Sequence, residues 1–488
     1  TEIYTLSLHD ALPISSTDGD ITVNAGGSLT TGGYVSISDD LLVYGQLNVG
    51  GNYTGTGTTS LITVYSGGSA SFGGNVSIQD DLLANGSTSI TGNFVSTAAD
   101  GDITVGTGSS LTIGGTGTIT DDLVINGPFQ IGGIYTGSGT GAVITIASGI
   151  SAVFGGNVWL GDDLTVNGTI RVDGDYRGNG TGAIITVANG ATASFYGNIW
   201  LGDDLTVSGL FESRGPTKTL TLNGGANAIV TVNGTGTLDL AHGVSFGAAH
   251  LMANAGANLR LSGLLEISGY FQLLGSGSGY PTTPTALNNY IKVRQSSLPG
   301  SPGSYRFRVL TTGNSNVYID YVQFVGMDTA NGGLFINDAT NGSERMQYCM
   351  FQSPATTGAG SAYIVFGPNI QQANHWGTTS AYYIQYMMFE NYPGNAPASL
   401  IKRQNTTGRV RIRYYLDGSL LVPPDTIWVG GDAYDDDNND GNNADPTETY
   451  IQWLNPATVP TPVTITSIDW GCGSDGQPTT LTVIWESS

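Results

Sequence analysis

Cysteine, lysine and long apolar runs are scarce in this chain, and each scarcity removes a class of protein. The only thiols are Cys349 and Cys472, too few for the disulfide framework of a small secreted domain; their spacing leaves open whether they pair. Lysine stands only at Lys218, Lys292 and Lys402, and 15 Lys and Arg face 38 Asp and Glu, for a formal charge of −23. A surface of that sign repels nucleic acid and anionic lipid, which both need basic patches. No nucleic-acid partner is therefore expected, and cations or neutral glycans suit the surface better. An unbroken apolar run of about 18 residues is also missing, which excludes a membrane-spanning helix.

What is present is glycine, 74 residues of 488, and a strict period. Asp-Asp-Leu begins at Asp39, Asp80, Asp121, Asp162 and Asp203, in steps of 41 residues. Ile21, Ile62, Ile103, Ile144 and Ile185 keep the same time, as do Tyr53, Phe94, Tyr135 and Tyr176. Fixed spacing over many copies marks a repeat architecture. Each unit also splits in two, because "ITVNAGGSLTTGGYV" from Ile21 and "LLVYGQLNVGGNY" from Leu41 share one pattern. The structural coil is thus about 20 residues. Apolar residues alternate over three to five positions and are broken by Gly, Asn and Asp, the signature of short strands and tight turns. The fold class expected is all-β: a parallel β-solenoid whose stacked coils bury Ile, Leu and Val in one continuous interior. Outward positions then include a column of Thr145, Thr165, Thr186 and Thr206.

The 41-residue clock blurs after about Gly215. A Gly, Ser, Thr and Pro stretch spans residues 276–290 as a linker, so the regular repeats occupy residues 16–275. Residues 291–415 hold longer rungs such as "VYIDYVQFVGM", "RMQYCMFQSP" and "YYIQYMMFENYPG", each read as a short apolar strand that ends in Phe. Residues 416–488 form a small β-rich C-terminal segment with an acidic loop.

Three resemblances accompany these patterns. Residues 1–15, "TEIYTLSLHDALPIS", resemble the in-frame translation of a sequencing adapter, which implies that they stand outside the fold and that the natural N-terminus is missing. The regular half resembles the Gly-rich β-solenoid regions of bacterial surface proteins, and its composition agrees with an extracellular or cell-surface location. The rungs of residues 291–415 resemble right-handed parallel β-helices of the pectate-lyase-like superfamily. That resemblance implies a polysaccharide-active enzyme in which Asp or Glu holds Ca²⁺ and a basic residue removes a proton. Asp320, Asp328, Glu344, Arg345, Glu390, Lys402 and Arg403 supply such groups, but no spacing among them selects a catalytic set.

Two binding sites are expected instead. Trp159 and Trp200 occupy the outward position that Ser36, Ser77 and Thr118 hold in earlier units. Two indoles about 9.6 Å apart on one face suit stacking on an extended glycan, or packing beneath a neighbouring loop. The acidic "YDDDNNDGNNADPTE" places Asp436, Asn438 and Asp440 before Gly441, the start of a Ca²⁺ loop in which alternate oxygens converge. Thr447 fills the twelfth position, where a full EF-hand has Glu, so Asp445 is the substitute ligand, in a loop that resembles those of dockerin-like and thrombospondin-like modules; the alternative is a solvated acidic linker. The repeated Asp pairs are expected to shape turns, because Asp bonds nearby backbone amides. His375 is read as a packed turn residue. The uniform repeats and the lack of a singular site point to a non-catalytic structural or adhesive surface protein.

Overall fold

The structure, a computed structural model, describes residues 20–404 apart from residues 223, 225–226, 278–286, 311–316, 338–344, 359, 371–383, 392–398 and the side chains of residues 390–391 and 399; beyond that range it describes only the backbone of a few strands. The chain winds as a parallel β-solenoid whose every coil has three short strands. Val35–Ile37, Leu41–Val43 and Gln46–Val49 make one coil; Tyr53–Gly55, Ile62–Val64 and Ser69–Phe72 make the next. Equivalent strands stack in register into three sheets, here called A, B and C in the order of that first coil. Sheets B and C continue through the later rungs. Sheet A ends at Leu220–Leu222, and a further parallel sheet from Val244–Ser245 to Asp435–Asp436 takes the third side. Among the described residues no helix is long and apolar enough to cross a membrane.

Alternation explains why these segments are strands. A three-residue strand points its first and third side chains inward and its second outward. In sheet B the inward pairs Leu41 and Val43, Ile62 and Val64, Ile103 and Val105, and Ile144 and Ile146 are fully buried. The outward partners form the expected column, with Thr145 beside Thr165, Thr165 beside Thr186, and Thr186 beside Thr206. One hydrophobic cluster runs from Val23 to Ile401, so burial accumulates coil by coil as in any solenoid.

The coils are not equal halves of the repeat. Val35 pairs with Tyr53, 18 residues on, whereas Tyr53 pairs with Val76, 23 residues on. The longer coil spends its additional residues in two turns. Residues 56–61 replace residues 38–40 between sheets A and B, and residues 65–68 replace residues 44–45 between sheets B and C. The second of these turns requires glycine: Gly67, Gly108, Gly149 and Gly190 recur there with φ of +84°, +76°, +76° and +79°, a region that side chains with a Cβ avoid.

Side-chain ladders tie coil to coil. Asn75 donates its amide N–H to Asn52 Oδ1 at 2.9 Å, Asn93 donates to Asn75 Oδ1 at 2.9 Å, and Thr116 donates to Asn93 Oδ1 at 2.8 Å. Tyr53, Phe94, Tyr135 and Tyr176 point inward at the start of each long coil. Three of them meet a Phe edge to face, for example Tyr135 with Phe154 at 5.5 Å. The Tyr135 hydroxyl is buried and has no hydrogen-bond partner among the described residues. Tyr135→Phe removes that desolvated group while keeping the ring, and is expected to stabilise the fold by about 1 kcal/mol. A urea midpoint that falls instead would reveal a bond to this hydroxyl.

The later rungs use a different corner. Tyr321, Tyr348 and Tyr386 each take the first position after a sheet B strand, at the corner before the next sheet C strand, with φ of +52°, +54° and +55°. Left-handed backbone costs roughly 1–2 kcal/mol at a residue that carries a Cβ. The three rings offset part of that by stacking at 4.5 and 4.4 Å. Segments read as single strands, such as "VYIDYVQFV", are therefore two strands joined at a tyrosine. Cys349 follows Tyr348, buried and in no disulfide among the described residues; the side chain of Cys472 is not among those described.

Candidate functional site

The corner between sheets A and B carries the Asp pairs, and the two members do different work. The second Asp accepts a backbone N–H from the coil above rather than from its own turn. Asp102 donates to Asp81 Oδ1 at 2.9 Å, Asp122 to Asp102 Oδ1 at 2.9 Å, and Val143 to Asp122 Oδ1 at 2.9 Å. Ile184 and Ile229 donate in the same way to Asp163 and Asp204. The structural reading of these residues stands, with the bond reaching one coil onward instead of locally. His250 fills the same position later, where its Nδ1 accepts the Tyr270 N–H at 2.8 Å.

Stacking carboxylates along one edge raises their proton affinity. Asp80, Asp121, Asp162 and Asp203, the first members of their pairs, are pushed above the usual carboxylate range by burial first and by the adjoining Asp second. Burial also lifts Asp40 and Asp102. A carboxyl whose folded value is raised binds protons more readily in the native state, so stability grows as pH falls through that value. His242 and His250 are lowered by burial and oppose the trend below about pH 6.5. The carboxylates outnumber them, and acid also relieves the self-repulsion of a strongly anionic chain. The carboxyls act below the histidine range, so the thermal midpoint is expected to level off or rise as pH falls from about 5 to about 4; a scan showing a steep, steady fall over that interval would refute this electrostatic account.

The same corner forms a groove where the repeat changes. Trp159 and Trp200 arrive together with Gly161 and Gly202, which replace Ser38, Gln79 and Thr120 of earlier units. A Cβ at Gly161 would lie 1.8 Å from the Gly139 carbonyl oxygen, and one at Gly202 would lie 1.8 Å from that of Gly180. These glycines let the long loops close down on the short turns. Between the loops that follow Tyr135 and Tyr176 lies an open groove of about 680 Å³. Gly161 and Asp162 line it between the two loops, Ser138, Thr140, Asn179 and Thr181 supply hydroxyl and amide groups, and Trp159 closes one side.

Trp159 is 41% exposed, a large value for an indole in a folded chain. The register on sheet A runs Thr136, Trp159, Arg177, Trp200, Thr221 on successive coils. Both indoles therefore share one outward column, as expected from their repeat position. Among the described residues no loop covers Trp159, whereas Trp200 is half-buried and has the Arg177 guanidinium 5.5 Å from its ring centre. Arg177 makes no ion pair among the described residues. Sequence reasoning found the indoles but not the groove, whose walls are the Gly-rich loops.

The remaining candidates divide by location. Asp436, Asn438, Asp440 and Asp445 lie outside the residues whose side chains are described, as do His375, Glu344 and Glu390. Asp320 is buried and bonded to Arg345 through two nitrogens. Asp328 accepts from Asn331 and Thr356, and Lys402 and Arg403 are buried. Asp20, Asp39 and Asp40 bring carboxylate oxygens within 4.8 Å of one another. Two of these three are ladder residues, accepting from the Asp40 and Leu61 amides. In comparisons with known proteins, no family model, no curated protein and no solved structure matches this chain.

Proposed function

We propose that this chain is a non-catalytic structural or adhesive element of an extracellular or cell-surface assembly, and that it holds a glycan at the Trp159 groove. The observation that carries the reading is an exposed indole beside a groove lined by hydroxyls, an amide and glycine backbone. Aromatic faces stack on the apolar faces of sugar rings, while hydroxyl and amide groups exchange hydrogen bonds with sugar hydroxyls. The anionic surface favours a neutral polymer over an acidic one. Repetition along the axis suits a stalk, because uniform coils offer length and a continuous face. Ca²⁺ is the ion proposed for Asp436, Asn438, Asp440 and Asp445.

Affinity electrophoresis through gels containing soluble polysaccharides tests the site. Trp159→Ala is expected to weaken retardation about tenfold, on the scale of one lost stacking contact. Thr145→Ala, on the sheet B face, serves as the control and should leave it unchanged. Equal mobility of the parent and the Trp159 variant in every gel would remove the groove from the proposal.

A further inference from the structure

We infer that the ligand is a linear, neutral, β-1,4-linked glycan that runs along the solenoid axis and engages Trp159 and Trp200 together. This rests on the glycan reading above and deepens it. Three observations carry it. The segment Trp-Leu-Gly-Asp-Asp-Leu occurs identically from Trp159 and from Trp200, so the platform and the Gly-Asp segment beside it are built twice. The two indoles lie in one column with a single coil between them, which sets them about 9.6 Å apart. Arg177 fills that coil and lies over the ring of the second indole.

A β-1,4-linked ribbon matches this row. Its successive rings are flipped over, so every second ring turns the same face to one side, and two rings advance the chain by about the spacing of two coils. Trp159 and Trp200 then stack on alternate rings, and Arg177 donates hydrogen bonds to hydroxyls of the ring between. An α-1,4-linked chain curls away from a straight row and meets only one indole. A uronate chain brings its carboxylates against Asp162 and Asp203, which flank both platforms.

The test is titration calorimetry on the full chain with β-1,4-linked gluco-, manno- and N-acetylglucosamine oligomers of increasing length, alongside α-1,4-linked malto-oligomers and polygalacturonate. The shortest chain that spans both indoles is a trisaccharide. Affinity for at least one β-1,4 series is expected to rise tenfold or more once that length is reached. Trp200→Ala should remove the rise while leaving the weaker short-chain binding at Trp159, and Trp200→Tyr should restore part of it. Thermal melts of both variants confirm that they fold. Binding that ignores length, a rise that survives Trp200→Ala, or a preference for α-1,4 or uronate chains overturns the inference but leaves a glycan site at Trp159. Absence of binding to every polymer overturns both.

Discussion

Replacing Ile144 with Ala is expected to cost about 2–5 kcal/mol, the range for emptying a large aliphatic position in a packed core. Ile144 is fully buried and lies between Leu123 and Leu164 of the adjacent coils. Its strand pairs only with the strands directly before and after it in the stack, so the space has no other strand to fill it. The same geometry limits how far the damage spreads. In a stacked array stability is a sum of coil and interface terms, so amide hydrogen exchange should accelerate in the coils around Ile144 and remain slow near Ile319. The outward Thr145→Ala change should alter stability by less than about 0.5 kcal/mol. Exchange that accelerates evenly along the chain would mean that the coils are not independent units.

A single Asp-Asp pair provides the second large contrast. Asp122→Ala leaves the Val143 N–H without its acceptor and should cost about 1–3 kcal/mol. Asp121→Ala removes a carboxylate whose charge is already disfavoured by burial and by Asp122, and should be neutral or mildly stabilising. Chemical denaturation of the two variants measures the difference directly. Equal losses would assign both residues to the turn alone and remove the ladder.

The 20-residue coil and its buried columns were legible because they rest on two periods, alternation and the 41-residue repeat, that are written into every copy. Ile62, Ile103, Ile144 and Ile185 announce the core by recurrence. The ladder was harder to read, since Asp122 bonds an amide 21 residues onward and nothing local distinguishes it from Asp121. The groove was hidden for a related reason: its walls arise from the unequal lengths of alternate coils, which a common half-repeat pattern averages away. A signal did exist, in the joint change to Trp159 with Gly161 and to Trp200 with Gly202. The tyrosine corner left no such trace. Aromatic residues favour extended backbone, and only stacking of Tyr321, Tyr348 and Tyr386 across coils makes their left-handed geometry intelligible.

The passive reading is tested most directly by incubating the chain with a panel of neutral polysaccharides, with and without Ca²⁺, while following both binding and newly formed reducing or unsaturated ends. The account predicts binding that depends on Trp159 and no new ends. Release of ends would contradict it and assign the chain to catalysis.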